Sequence, residues 1–493
     1  MKQKIFAHIR VIVFVILLGI VLMRVNKILE PVKTLQNNYY PNTSTYKGFY
    51  KMEPNSIDVL FFGSSVAVNA FIPQVIYDEY GITSYNLGSE QQSILLSYFW
   101  LKEALNYQNP KVVVIDTRFM RKLHYGYPCN TTEGLTRNCI DPMRLSSVKV
   151  EAIRDICKLD NQQNELSYYL LNIRFHDRWK SLKESDVDKF AIIDKTKGYA
   201  PEYGKGPDEY KTFDSVDLEV VAELDEIMLD YLDKMISLCN ENNIQLVLVS
   251  LPGNEMNDGI NNFYSRLAEN DTVDYLNFCS TEQYSKIGAK LPEESVIGHQ
   301  NVWGAIKTSK YIGEILKDKY GLLAHEDYQY ESSRDYWEGI VDNKKLKDTD
   351  DSLSYLKMLD SKNYDVFIVA NGGARIISQD VRAELANLGV KTDLWEHQCE
   401  SFYAVFKSGE LVDEVVSMEE ATYIETLNDS NIIVEMHSKG YSTGPEDNLG
   451  TISVDGVDYV GPEHAYSILV FDNVTMRVVD FVRIDEENVV RIQ

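Results

Sequence analysis

The chain has 493 residues, too many for one hydrophobic core and enough for two or three domains at roughly 150 residues each. Hydrophobic residues at 44% and charged residues at 25% exclude a disordered or collagen-like chain. A net charge of −26 excludes a nucleic-acid-binding surface and makes a poor surface for anionic lipid. The acid is uneven: residues 351–493 hold 26 Asp and Glu against 10 Lys and Arg, net −16, so two differently built bodies are expected.

Lys2, Lys4 and Arg10 precede Val11–Met23, thirteen residues without a charge, and Arg24 closes the run. At about 1.5 Å per helical residue the run covers roughly 20 Å of a ~30 Å hydrocarbon core. Ile5–Ala7 and Val25 complete a span when Arg10 and Arg24 reach to the two interfaces. A cleaved signal peptide needs a small-x-small site, which Arg24–Leu35 does not offer. The expectation is an uncleaved single-pass anchor over residues 1–25 in the cell membrane, with the bulk of the chain extracytoplasmic. Basic residues flank both ends, so the positive-inside rule decides orientation only weakly.

Residues 26–54 are polar and read as a linker. Ile57–Phe62, Val112–Asp116 and Ile244–Leu251 are apolar runs of the kind a parallel sheet buries on both faces. Between them, Ile94, Leu95, Tyr98, Phe99, Leu101 and Leu105 have helical spacing, and the alternation signals an open α/β sheet. Residues from about 120 to 240 break that rhythm and read as a helical insertion. Within it, Arg174, His176, Asp177, Arg178 and Trp179 are either a self-paired helix surface or a polysaccharide-facing patch. Cys129 and Cys139 either close a small loop or remain free thiols. Residues 324–350 are charged and read as a second linker. From 351 to 493, β-type runs recur at Val366–Ala370, Tyr403–Phe406, Ile432–Met436, Ile468–Phe471 and Val478–Val482, with helical spacing chiefly at Ser378–Leu388. That pattern predicts a β-rich α+β domain.

Three short motifs carry chemistry. Gly63-Ser64-Ser65 ends a strand, where open α/β sheets bind ligands and where a small residue exposes a following hydroxyl. Tyr85-Asn86-Leu87-Gly88-Ser89 leads into a helix, so backbone N–H groups there are available to an anion. His299, one of eight histidines, opens an amphipathic helix that closes the sheet domain. No metal-ligand spacing and no Gly-x-Gly-x-x-Gly or Gly-x4-Gly-Lys-Ser/Thr follows a strand, so neither metal nor cofactor is expected.

FFGSS (61–65), NLG (86–88) and H-x-N-x-x-G-A-x-K-x-S-x-Y-I-G (299–313) resemble the SGNH (GDSL-like) hydrolases over roughly residues 55–320. The likeness is to the membrane-anchored branch similar to proteins of teichoic-acid D-alanylation and alginate O-acetylation. It implies a three-layer, flavodoxin-like parallel sheet over 55–323, Ser65 as nucleophile and His299 as general base. It also implies an oxyanion region at Asn86 and Gly88. The chain departs from the family pattern at Val296, where an Asp usually stands, with Glu293 and Glu294 nearby as replacements. Asp116-Thr117-Arg118-Phe119 stands where Gly-x-Asn-Asp is usual, which puts Arg118 at the anion-binding position, and Gln91 stands near the place of a glycine. Residues 354–370, Leu388-Gly389, 401–405, 454–459 and 468–480 resemble the interleukin-like epithelial–mesenchymal-transition inducer domain, although His464-Ala465-Tyr466-Ser467 replaces its usual Arg-Gly-Leu-Asn. That likeness implies a carbohydrate-binding module. The favoured expectation is an anchored serine acyl-transfer enzyme, an O-acetyltransferase or esterase on a cell-surface polysaccharide, with a membrane acyl-donor protein as a further partner. The alternative is a catalytically degenerate scaffold that binds or guides an envelope polysaccharide.

Overall fold

The computed structural model describes residues 2–31, 41–118, 132–182, 195–206, 212–253, 255–269, 272–290, 292–374, 377–427, 432–444, 449–485 and 488–492. Five parallel strands form the first sheet: β1 (Val59–Phe62), β2 (Ser84–Asn86), β3 (Val112–Asp116), β4 (Gln245–Ser250) and β5 (Val273–Asn277), in the order 2-1-3-4-5. This is a common doubly wound order, and its direction switches beside β1 and β3. Pleating sends alternate residues to opposite faces. Leu60, Phe62, Val113, Ile115, Leu246 and Leu248 enter one core, while Val59, Phe61, Val112, Val114, Val247 and Val249 enter the other. β2 and β5 were not foreseen, because SYN and VDYLN are too short and too polar to show the burial signal.

The chain begins with α1 (Lys2–Leu29) and α2 (Pro41–Phe49). Along the sheet domain follow α3 (Ser65–Ala70), α4 (Pro73–Tyr80), α5 (Ile94–Ala104), α6 (Glu133–Ile140), α7 (Ser147–Leu159), α8 (Glu165–Tyr169) and α9 (Leu171–Phe175). After a 3₁₀ turn at His176–Lys180 come α10 (Glu226–Glu241), α11 (Asp258–Leu267), α12 (Thr281–Ile287) and α13 (Val302–Asp318). The core under α5, α7 and α10 holds Trp100, Ile153 and Met235, and the core under α3, α4 and α13 holds Ala67, Ile76 and Ile312.

One helix among the described residues is long and apolar enough to cross a membrane: His8–Leu29 within α1, whose apolar window is not buried, while Leu29 at its end is buried against the protein. Its 22 residues span about 33 Å. The helix is longer than the thirteen-residue uncharged run because Arg10, Arg24 and Lys27 sit near its ends rather than at its centre.

Two stretches expected to be linkers contain helix. Tyr46 and Phe49 of α2 are buried, Tyr46 stacking on Trp100 with ring centroids 4.1 Å apart. Residues 324–350 form α14 (Tyr328–Glu331) and α15 (Arg334–Asp348), whose Tyr330, Tyr336, Ile340 and Leu346 are buried. Their charge hid an apolar stripe.

The C-terminal region is antiparallel. β8 (Tyr364–Asn371), β9 (Ser401–Lys407), β10 (Glu410–Ser417), β11 (Ala421–Leu427), β12 (Ile432–Lys439), β13 (Leu449–Val454), β14 (Val457–Val460), β15 (Ala465–Asp472), β16 (Arg477–Asp485) and β17 (Asn488–Arg491) make two sheets. Their orders are 10-9-8-15-16-17 and 11-12-13-14. Phe367, Val405, Leu469 and Phe471 of the larger sheet pack on Val434, Met436, Ile452 and Val454 of the smaller. The larger sheet's other face is covered by α16 (Ser352–Leu359) and α17 (Gln379–Leu388).

Residues 195–206 return from the insertion, and 196–199 are buried against the sheet, with the Lys197 carbonyl accepting the Asn86 N–H at 2.9 Å. The Lys197 ammonium is buried over the Tyr330 ring, 4.2 Å from its centroid, and donates to Ser333 Oγ at 2.8 Å. Burial lowers its pKa to about 7, against the opposing pull of Asp327 and Asp78. Unfolded, a lysine keeps its proton to about pH 10.4. The unfolded chain therefore binds more protons between those limits, and stability rises with pH across that window. Denaturant unfolding at about pH 7 and pH 9 should show wild type gaining up to about 1.4 kcal/mol per pH unit relative to Lys197→Met. A difference independent of pH would show that the ammonium stays charged.

Candidate active site

β1 stops at Gly63, whose φ of +136° and lack of a side chain allow the chain to turn beneath β3: a Cβ there would lie 2.5 Å from Asp116 Cβ. Ser64 caps α3, its Oγ accepting the Val66 N–H at 3.3 Å and donating to Asp116 Oδ2 at 2.6 Å. Asp116 also accepts the Arg118 N–H on its other oxygen, at 3.1 Å. One buried carboxylate thus fixes the ends of β1 and β3 together, and Ser65 is left half-buried as the first residue of α3.

His299 arrives 234 positions later. Ser295–Val296 (β6) and His299–Gln300 (β7) form a hairpin in which Val296 pairs with His299. Its two loop residues, Ile297 and Gly298, have φ of +47° and +74°, as in the type I′ turns that fit strand twist. Glycine adopts such a φ freely, but a β-branched residue there is strained. Asn301 then caps α13, its Oδ1 accepting from Trp303 N at 3.1 Å and Gly304 N at 3.4 Å.

The hairpin brings His299 Nε2 to 2.8 Å from Ser65 Oγ, while His299 Nδ1 lies 3.0 Å from the Ile297 carbonyl oxygen. A carbonyl only accepts, so Nδ1 carries the proton and Nε2 presents its lone pair to the Ser65 hydroxyl. This is the tautomer a general base needs. The ring is oriented by a backbone carbonyl, and neither glutamate supplies the orienting group. Glu294 binds Lys307 at 2.7 Å and accepts the Lys290 N–H at 2.7 Å. Glu293 has an exposed side chain, and its carbonyl accepts from Asn301 Nδ2 at 2.9 Å. Val296, in the position where a carboxylate was sought, lies under Gly204, where a Cβ would come within 3.1 Å of its Cγ2.

The expected oxyanion donors are engaged elsewhere. Asn86 is fully buried, its amide donating to the Ala67 carbonyl at 2.9 Å and its Oδ1 accepting the Gly88 N–H at 3.0 Å. The Ser89 N–H donates to the Gly63 carbonyl at 3.1 Å. These groups brace the turn around Gly63 and are not aimed at a ligand. Among the described residues, the Ser65 N–H has no acceptor, which leaves a donor beside the hydroxyl.

Residues 196–206 make a strap that sequence reasoning missed. The Ala200 N–H donates to the Val68 carbonyl at 3.1 Å, and Asn69 Nδ2 donates to the Ala200 carbonyl at 2.8 Å. The Gly204 carbonyl accepts from Asn301 Nδ2 at 3.0 Å, and the Gly206 N–H donates to the Ser295 carbonyl at 2.8 Å. The strap therefore joins α3 to the histidine hairpin. Gly198 was its one visible signal: at φ +91° a Cβ would lie 1.8 Å from the Asn86 carbonyl oxygen.

The polar cluster of the insertion lies apart from these contacts; most of it is paired nearby, while Arg178 donates to the Leu29 carbonyl of α1 and Trp179 is exposed. Arg174 pairs with Glu133, Asp177 with Lys180, and His176 Nδ1 with the Ile173 carbonyl. Cys139 is a buried free thiol 3.3 Å from Tyr46 Oη, and Cys129 and Phe119 lie outside the described residues. No group of three or more His, Cys, Asp or Glu among the described residues could hold a metal ion.

The fold and site define an open α/β domain with a Ser–His pair at the carboxyl edge of its sheet. No protein-family model and no curated protein matches the chain. Among solved structures it is similar to a candidate acylhydrolase from Bacteroides fragilis NCTC 9343, at 12% identity and a TM-score of 0.27, over 57% of this chain and 98% of that one.

Ile297→Asn should relieve the strained φ and raise stability by about 1 kcal/mol, since asparagine tolerates the left-handed region. The Ile297 side chain is 78% exposed and it is the carbonyl that holds His299, so the reactivity of Ser65 should be unchanged. Thermal unfolding and serine-directed labelling measure the two effects. A drop in stability would show that the isoleucine side chain makes a contact worth more than the strain.

Proposed function

We propose that the chain is a membrane-anchored serine acyl-transfer enzyme of the SGNH, flavodoxin-like type. Its reaction would be O-acyl transfer to, or ester hydrolysis on, a cell-surface polysaccharide outside the cytoplasm. The observation that carries this reading is the 2.8 Å contact between Ser65 Oγ and His299 Nε2, with the opposite ring nitrogen held on the Ile297 carbonyl. Serine is a weak nucleophile until a base takes its proton. Ser65 Oγ attacks the acyl carbonyl as Nε2 removes the hydroxyl proton, and the tetrahedral oxyanion forms beside the Ser65 N–H. Nε2 returns the proton to the departing alcohol, leaving acyl-Ser65. Water or a sugar hydroxyl then gives its proton to Nε2 and attacks the acyl carbon, and the Ser65 oxygen leaves and takes that proton back, giving hydrolysis or transfer. Arg118, tied through Asp116 to the turn that carries Ser65, is assigned the contact to the oxyanion or to an anionic substrate. The C-terminal β-rich domain is assigned to holding the polymer, and a membrane acyl-donor protein is the proposed source of the acyl group.

The engagement of Asn86 and Gly88 within the turn favours one other reading, a polysaccharide-binding scaffold without turnover. The two readings separate on a chromogenic acetyl ester and a fluorophosphonate probe. Wild type should turn over the ester and label at Ser65, and Ser65→Ala and His299→Ala should each lower kcat by about 10³-fold or more. Turnover indifferent to both substitutions would remove the pair from the chemistry. No turnover and no labelling, together with glycan retention, would establish the scaffold.

A further inference from the structure

The insertion closes against the end of the apolar helix. The Asn172 N–H donates to Asn26 Oδ1 at 3.2 Å, and the Arg178 guanidinium donates to the Leu29 carbonyl at 2.7 Å. The last carbonyls of a helix have no intrahelical donors and sit at the negative end of its dipole, so an arginine is well placed there. Both bonds are made to the final turn of the apolar stretch His8–Leu29. The turn that makes the second bond, and the α8 segment that precedes α9, leave apolar side chains in solvent. Trp179 is 66% exposed, Leu166 54% and Leu170 41%, Leu166 within α8 and Leu170 at its C-terminal cap. Lys180 is exposed beside Trp179.

We propose that α8, α9 and the His176–Lys180 turn form a foot that lies in the headgroup–acyl boundary of the bilayer, with Trp179, Leu166 and Leu170 entering it. This rests on the reading of α1 as a membrane span. If α1 crosses the hydrocarbon with Arg24 at the interface, Leu29 lies five residues, about 7.5 Å, further along the helix, at the outer part of a polar layer about 5–8 Å deep. Trp179 is the chain neighbour of the residue bonded to Leu29, which puts the turn that carries its exposed ring beside the end of the span. Tryptophan favours such a boundary; of the neighbouring cations, Arg178 is bonded to Leu29 and Lys180 pairs with Asp177. Geometry thus names the occupant of the exposed apolar face. The foot would hold the sheet domain at a fixed height above the membrane.

The full-length protein, reconstituted in phosphatidylcholine vesicles with and without bromine on the upper acyl carbons, tests this through tryptophan emission. Bromine should quench wild type more than Trp179→Phe, by about one fifth of the emission, one ring's share of five tryptophans at the interface. Val15→Trp, made in the Trp179→Phe background, reports separately on α1. If Val15→Trp is quenched by bromine deep in the acyl chains while wild type and Trp179→Phe respond alike, the foot is overturned and the face belongs to a soluble partner or a second copy. If Val15→Trp is not quenched either, the membrane reading fails and the foot fails with it.

Discussion

The site depends on how closely α13 lies against α3 and α4. Ala305, Ser309 and Gly313 recur every four residues and so line one face of the helix. At Gly313 a Cβ would lie 2.5 Å from the Tyr80 ring, so a larger residue would have to displace that ring or the helix. Ser309 Oγ accepts the Ile72 N–H at 2.8 Å and donates to the Ala70 carbonyl at 3.1 Å. Those two backbone groups flank the break between α3 and α4, where intrahelical bonding stops. A side chain of the helix that follows His299 therefore satisfies the end of the helix that begins with Ser65. The contact between two residues 234 positions apart is set by that seam before either side chain chooses a rotamer.

Within this frame the histidine is held by backbone. The hairpin turn places a carbonyl where a serine triad uses a carboxylate, at the cost of a β-branched residue with positive φ. Strain of this kind persists when the surroundings over-determine it, and here they do. The strap binds Ser295 and Asn301 on either side of the turn, and Asn301 also caps α13. A carbonyl fixes the tautomer as well as a carboxylate does, which is the larger part of a triad carboxylate's contribution. It does not supply the full negative charge that stabilises an imidazolium. The arrangement keeps orientation and gives up part of the electrostatic help.

How much of this was legible follows from the physics of each signal. Ser65 and His299 stood out because small residues before a hydroxyl and a histidine before an amphipathic helix are local patterns at strand and helix ends. The holder of the ring was not legible, because any residue has a carbonyl and isoleucine does not announce a positive φ. Asn86 and Gly88 were legible as a conspicuous motif but not in their use. Which way an amide points depends on the Ala67 carbonyl beneath it, which only folding brings there. Strands such as β10 and β11 were hidden because few of their side chains are buried and acidic, polar and apolar residues are mixed without a clear two-residue period. The helices of 324–350 were hidden by charge, and their buried tyrosines have meaning only against two neighbouring bodies.

Those helices matter because α15 touches both bodies. Trp303 Nε1, one turn after His299, donates to Asp348 at 2.6 Å, and Lys344, fully buried, pairs with the same carboxylate at 2.5 Å. Burial lowers the Lys344 pKa while Asp348 opposes the shift. On its other side, Asn343 donates to Asp472 at 2.7 Å, at the end of β15 in the C-terminal sheet. A helix whose polar groups are divided between two cores resists sliding, since each displacement would leave buried donors and acceptors unpaired. The acid of the C-terminal region, net −16, is therefore carried on a body attached to the start of α13, the same segment that presents His299. The C-terminal body is thus held relative to the Ser–His pair by packed side chains and not by a flexible tether.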